Sequence, residues 1–266
     1  LILAAVFVFL LWGGQALADE ESRSVQKSTR NPAIIELFTT QGCGDAPVAD
    51  RIVEKILEEN PEAIVLSCHV TYYDKGDWPD SLSREFCNER QKGYFRGQKL
   101  ERLYIPQLLI NGRFETSGAY ENIVRSGAKM ASAEKLAMPI HMSLRGQTLD
   151  LEFPQLDLDT SSVDVWLFSY KAQERVDIKG GGNAGLVVNY VNIAHRLEKL
   201  ESWDGRALKV SVPVNMFETD GYAVIAQHEN YGPIVAAGRV ERPGLVRKSV
   251  STEPSIPFSR PISMSE

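Results

Sequence analysis

Two short apolar runs bracket an amphipathic segment in the first quarter of this chain, and that order admits few folds. Residues 33–38 are apolar apart from Glu36, with β-branched Ile34 and Ile35 among them, and Gly42 and Pro47 punctuate their end, which is the pattern of a buried strand. Val48, Ile52, Val53, Ile56 and Leu57 recur at threes and fours, so they share one face of a helix that Asn60-Pro61 stops. Residues 63–70 are again apolar and predict a second strand. Strand, helix, strand predicts a parallel βαβ unit with a right-handed crossover.

The pattern continues in the same grammar to residue 136. Residues 81–98 are polar with Leu82, Phe86 and Tyr94 at helical spacing, and predict a second helix. Pro106 opens a strand over 107–110, Asn111-Gly112 is a strong hairpin signal, and 113–116 returns. An alanine-rich helix over 119–136 closes the unit, giving βαβαββα for residues 32–136. Past Pro139 the segments alternate between turns without intervening helices: 140–144, 149–153, 163–170, 186–200, 207–214, 222–227 and 234–240. The expected fold class is therefore α/β plus all-β, with an antiparallel β-sandwich-like domain over 137–242. The serine- and proline-rich residues 243–266 are expected to be a disordered tail, and the polar residues 19–31 a tether.

Residues 1–12 are uninterruptedly apolar, and Ala16-Leu17-Ala18 precedes the first charge at Asp19. This reads as a secretory signal peptide over 1–18, cleaved after Ala18, which predicts a periplasmic or secreted protein with no membrane attachment once the signal is removed. Lysine and arginine total 29 against 35 acids, a net charge of -6. With no basic cluster interleaved with aromatics, nucleic acid is not the expected partner.

Chemistry concentrates on one cysteine. Cys43 follows the first strand at the start of the first helix, where unpaired backbone N–H groups and the partial positive charge of the helix favour a thiolate. Together with βαβαββα and a proline before the third strand, this is the layout of a thioredoxin fold. In such folds that proline, here Pro106 after Ile105, is cis and packs beside the reactive cysteine.

At this point the sequence resembles a family of secreted bacterial proteins, domain of unknown function 1223, in which a thioredoxin-like domain precedes a β-rich one. The residues that carry the resemblance are Glu36-Leu37-Phe38-Thr39-Thr40-Gln41-Gly42-Cys43 with Pro47 and Ala49-Asp50. His69-Val70-Thr71-Tyr72-Tyr73-Asp74 with Trp78 follows, then Tyr104-Ile105-Pro106-Gln107 with Asn111-Gly112. Gly181, Asn183, Gly185, Tyr190, Asn192 and Trp203-Asp204-Gly205 match as well, so the resemblance spans roughly 32–239. Cys43 and Pro106 are the expected catalytic residues, with Gly42, Asp45, Pro47, His69, Tyr73 and Asp74 as their expected neighbours.

Two departures limit what the resemblance implies. Family members carry Cys-Ser-Ser-Cys-Pro where this chain has Cys43-Gly44-Asp45-Ala46-Pro47, and a mixed disulfide needs a second thiol at position 46 to be resolved internally. Asp45 also sets a negative charge near the sulfur. The glutamate and arginine usual around the glycines of the second domain are Gly182 and Ala184 here.

Cys68, at the end of the second strand, can approach either Cys43 or Cys87, and three pairings are open. A Cys68–Cys87 disulfide is expected, because an oxidising compartment seldom leaves neighbouring thiols reduced. His69 ends on the same sheet edge as Cys43, either in a cleft or hydrogen-bonded to Asp74, and Tyr72, Tyr73, Trp78 and Tyr104 surround that edge. The four histidines lack metal-binding spacing, no metal or cofactor is implied, and residues 180–185 read as a glycine-rich turn between strands. Two functions follow: at most monothiol redox chemistry at Cys43 with a protein or small-molecule thiol or disulfide partner, or a non-catalytic binding module on the same scaffold.

Overall fold

The computed structural model describes residues 32–74, 78–133 and 137–247. The expected signal peptide, the tether up to residue 31, residues 134–136 and the tail beyond 247 lie outside the described residues.

The first apolar run is strand β1 (Ile34–Thr39), followed by helix α1 (Ala46–Glu59) and strand β2 (Ile64–His69). Every residue of β1 and β2 is buried, as parallel strands covered on both faces must be. Their period of two sorts the side chains. Ile34, Phe38, Ile64, Leu66 and Cys68 pack towards helix α2 (Glu85–Gly97), whereas Ile35, Leu37 and Val65 pack with Ile52, Val53 and Ile56 of α1. Helix α1 starts at Ala46, two residues before the first apolar position of its periodic face, because Pro47 in the first turn is preset for helical φ.

Helix α2 begins at Glu85, four residues later than its polar pattern suggests. The Asp80 carboxylate accepts from the backbone N–H of Leu82 at 2.8 Å and of Gln41 at 2.8 Å, so residues 80–83 serve a turn instead of a helix. Strands β3 (Gln107–Ile110) and β4 (Phe114–Ser117) form the expected hairpin, with both Asn111 and Gly112 at positive φ. Helix α3 (Glu121–Ala133) then packs beside α1.

The remaining described residues are strands apart from one 3-10 turn at Gly181–Asn183. They are β5 (Met138–Pro139), β6 (His141–Arg145), β7 (Thr148–Phe153), β8 (Asp164–Asp177), β9 (Val187–Lys199), β10 (Leu208–Pro213), β11 (Gly221–Gln227) and β12 (Ile234–Glu241). A nine-stranded mixed sheet has the order β4-β3-β1-β2-β9-β8-β11-β12-β5, and a three-stranded antiparallel sheet has the order β10-β7-β6. The small sheet lays Met142, Leu144, Leu149 and Leu151 against Val165, Leu167, Val224 and Ala236 of the large one. The two stretches of sequence therefore share one sheet, joined where β9 runs parallel to β2 at Ser67 and Ile193.

Strand β8 runs seven residues past its apolar stretch. Gln173, Glu174 and Arg175 look like a loop in sequence, yet they pair with Val191, Tyr190 and Asn189 of β9, which supplies their ladder. The resulting long ribbon carries its tip, the Gly181–Asn183 turn, to the carboxyl end of β1.

Where the halves meet, α2 is anchored by a buried ion pair. Glu36 of β1 accepts from Arg90 Nε and Nη2 and from Tyr94 Oη, and Arg90 Nη2 also reaches Gln227 Oε1 at 3.2 Å. The guanidinium is flanked by the rings of Phe168 at 5.0 Å, Tyr94 at 5.2 Å, Trp166 at 5.4 Å and Tyr231 at 5.7 Å. Burial opposes its charge, and Glu36 outweighs that opposition, holding the arginine more firmly protonated than in water.

Candidate functional site

The pleat decides the cysteine pairing. Cys68 faces α2, and Cys87 of that helix is bonded to it with Cα atoms 5.4 Å apart, while Cys43 is unpaired. The sulfur of Cys43 therefore sits alone in the loop between β1 and α1.

That loop places Cys43 three residues before the first helical residue. The Ala46 N–H donates to the Cys43 carbonyl at 3.1 Å, and the thiol donates towards the Ile105 carbonyl at 3.8 Å. The Ile105–Pro106 peptide is cis. A Cβ on Gly118 would lie 3.1 Å from Pro106 and 2.6 Å from Ala49, so the turn after β4 brings its backbone close to the proline and α1 together. Cys43 is largely buried, only 9% exposed. Burial pushes its thiol up from the ordinary value, and the charges of Asp45 and Asp50 add to that. The backbone N–H groups of Asp45 and Ala46 pull the other way without reversing the sign.

The sequence-derived neighbours divide into two layers. Gly42, Asp45 and Tyr73 lie beside the sulfur, Asp45 exposed and Tyr73 half-exposed with its ring against Gly42, and Pro47 is buried in the first turn of α1. Cys43 and burial both push the Tyr73 phenol up. His69 and Asp74 lie beneath. His69 is fully buried, not in a cleft, and its Nδ1 bonds Asp80 Oδ2 at 2.7 Å in place of the expected Asp74. Asp74 instead accepts from the Asp80 N–H at 3.2 Å and from Ser83 Oγ at 2.6 Å, so it secures the turn that carries Asp80. Burial acts against ionisation of Asp80, but His69 and the donated N–H groups hold its carboxyl below the usual range.

The aromatic residues surround this edge through hydrogen bonds. Trp78 Nε1 donates to Gln41 Oε1 at 2.7 Å, and Tyr72 Oη to Gln91 Oε1 at 2.9 Å. Gln91 Nε2 in turn holds the Tyr104 carbonyl at 2.9 Å, just before the cis bond, and Tyr104 Oη bonds Glu115.

What the residue-by-residue reading assigned no role is the ribbon tip. Asn183 Nδ2 donates to the carbonyls of Gln41 at 2.8 Å and Cys43 at 2.7 Å, pinning both sides of Gly42. A Cβ on Gly182 would stand 3.3 Å from the Gly42 carbonyl, so the turn rides on the cysteine loop, and a larger residue there must displace it. The sequence signal was the glycine cluster around one asparagine, whose partner loop lies about 140 residues earlier.

Among the described residues, no group of three or more histidine, cysteine, aspartate or glutamate side chains could hold a metal ion, and no helix is long and apolar enough to cross a membrane. The model of a family described as "Protein of unknown function (DUF1223)" matches residues 34–227. A crystal structure of a protein from Agrobacterium tumefaciens matches with a TM-score of 0.70 at 25% sequence identity, over 82% of this chain and 97% of that one. No curated protein matches the chain.

Proposed function

The chain belongs to the family described as "Protein of unknown function (DUF1223)", and from that membership we propose that it is an exported, thioredoxin-like protein whose Cys43 acts as a single thiol. The order β1-α1-β2-α2-β3-β4-α3 and a cis proline whose preceding carbonyl faces the sulfur support the scaffold. The division into a thioredoxin-like unit over 32–136 and a β-rich unit over 137–242, sharing one sheet, belongs to the same reading.

One observation carries it: Cys43 is the one cysteine outside the Cys68–Cys87 bond, and Ala46 stands where an internal resolving thiol would have to be. The chemistry open to a lone thiolate is exchange. Cys43 sulfur attacks a partner disulfide, forms a mixed disulfide and expels the partner's other sulfur as thiolate; a second, external thiolate then attacks the mixed bond and regenerates Cys43. Burial and the nearby carboxylates keep the thiolate fraction small, so the first step is slow. The same features favour a second reading, a binding module without turnover, in which the ribbon tip and the cis-proline loop hold a partner and the sulfur stays reduced.

Incubating the folded protein with oxidised glutathione, followed by intact mass and peptide mapping, separates the two. A single glutathionyl adduct at Cys43, removed by reduced glutathione, is expected for the exchange reading. A folded protein that stays unmodified leaves the binding module.

A further inference from the structure

Beneath the cysteine loop lies a set of buried polar groups that thiol exchange does not use. Asp50, on the face of α1 that meets the sheet, is 2% exposed; Thr39 Oγ1 donates to its Oδ2 at 3.3 Å, and its Oδ1 has no partner. His69 is the register partner of Thr39 on the adjacent strand, and its Nε2 has no partner either. The ring of Tyr190 from β9 meets that imidazole edge-on with centroids 4.7 Å apart, and its hydroxyl is the third unpartnered atom. Three orphaned polar atoms in one buried cluster are more than a well-packed interior leaves without cause.

Their chemistry is complementary in one protonation state. When neutral with its Nδ1–H directed at Asp80, His69 offers Nε2 as an acceptor, and an ionised Asp50 offers only acceptors. A protonated Asp50 carries the missing donor, which one bound water can relay to the imidazole, with the Tyr190 hydroxyl taking either role. We propose that Asp50, His69 and Tyr190 form a buried proton site, and that its occupancy sets the charge felt by Cys43 above it.

The surroundings agree. Burial raises the Asp50 carboxyl to about 7, opposed by His69 and by the Thr39 bond and reinforced by Asp80 and Glu54. Ionised Asp50 raises the Cys43 thiol, alongside Asp45. From α3 the charged side chain that reaches α1 is Arg125, bonded to Glu59, about two and a half turns away from Asp50. The site thus gains its negative charge near neutrality and, in gaining it, restrains the thiolate. The part that concerns Cys43 rests on the single-thiol reading; the proton site does not.

Two measurements on the native, disulfide-intact protein test it. In urea unfolding as a function of pH, a carboxyl raised in the folded state binds a proton on folding. Its contribution is therefore complete below the unfolded value of 3.8 and lost as pH rises to about 7. Relative to Asp50→Asn, the wild type should lose about tenfold in its folding equilibrium constant per pH unit across that window. In iodoacetamide alkylation of Cys43, the rate ratio of Asp50→Asn to wild type should be near one at acid pH and climb to about threefold or more above neutrality, as one charge is removed. A ratio that is raised equally at every pH marks mere loosening and overturns the coupling. Parallel stability curves for the two proteins overturn the proton site. If Asp50→Asn does not fold, Thr39→Val decides: loss of that donor should move the stability window upward in pH, and an unmoved window overturns the proposal. Failure of glutathione to modify Cys43 would refute the exchange reading while leaving the stability curves to stand or fall alone.

Discussion

Glu36→Gln should cost this protein more stability than any exposed substitution, because it strands a buried cation. Arg90 is 1% exposed and Glu36 2%, and the carboxylate is the one anionic partner of the guanidinium in that cluster. The glutamine keeps the shape but turns an N–H group towards Arg90, a donor facing a donor. Removing one partner of a buried pair destabilises by about 3–5 kcal/mol, since the remaining charge keeps its desolvation penalty without its Coulomb partner. At roughly 2–4 °C per kcal/mol for a folded unit of this size, the melting temperature should fall by about 6–20 °C. Circular dichroism and tryptophan fluorescence, to which Trp166 contributes with its ring 5.4 Å from the guanidinium, should report the same transition. The double variant Glu36→Leu with Arg90→Met supplies the control. An apolar pair among Tyr94, Phe168 and Tyr231 needs no counterion, so the double should recover most of what either single loses, with a coupling of about 2 kcal/mol or more. A loss below about 1 kcal/mol for Glu36→Gln, or singles that simply add in the double, would refute the argument that this pair anchors α2 between the halves.

Ala46→Cys should form a disulfide with Cys43 across the first turn of α1, seen by mass under non-reducing conditions; a folded variant that stays reduced in oxidising buffer contradicts the loop geometry. Asn183→Ala removes both bonds to the cysteine loop and leaves two carbonyls without that donor, so it should lower stability by about 1–3 kcal/mol and raise the alkylation rate of Cys43. Unchanged alkylation would show that the ribbon tip does not hold the loop. Gly97→Ala places a Cβ 1.7 Å from the Asn230 carbonyl and should cost about 1–3 kcal/mol or more through overpacking, read from urea unfolding; wild-type stability would mean that α2 and the loop after β11 are less closely apposed.

The sequence by itself determined the local elements. Apolar runs with β-branched residues, threes and fours in 48–57, and Asn111-Gly112 are statements about backbone conformation, and β1, α1 and the β3–β4 hairpin follow from them. The same local logic located Cys43, because a strand end and a helix start are near neighbours in the chain, whereas Ile105, whose carbonyl faces its sulfur, lies 62 residues further on. What it placed badly was set by partners distant in sequence. The extra length of β8 came from the ladder that β9 offers to polar residues, and the late start of α2 from the carboxylate of Asp80. Only the pleat of β2 could choose Cys87 over Cys43 for Cys68, since the two alternatives differ by which face of the sheet a side chain leaves. Glu36, Asp50, Asn183 and Tyr190 stood in the sequence as matched residues without roles; Arg90, Asp80 and Gln227 carried no mark at all. A buried charge or an asparagine that ties two loops is defined by what it touches. Those contacts, between Glu36 and Arg90 or Asn183 and Cys43, exist only after 54 or 140 residues of intervening chain have folded.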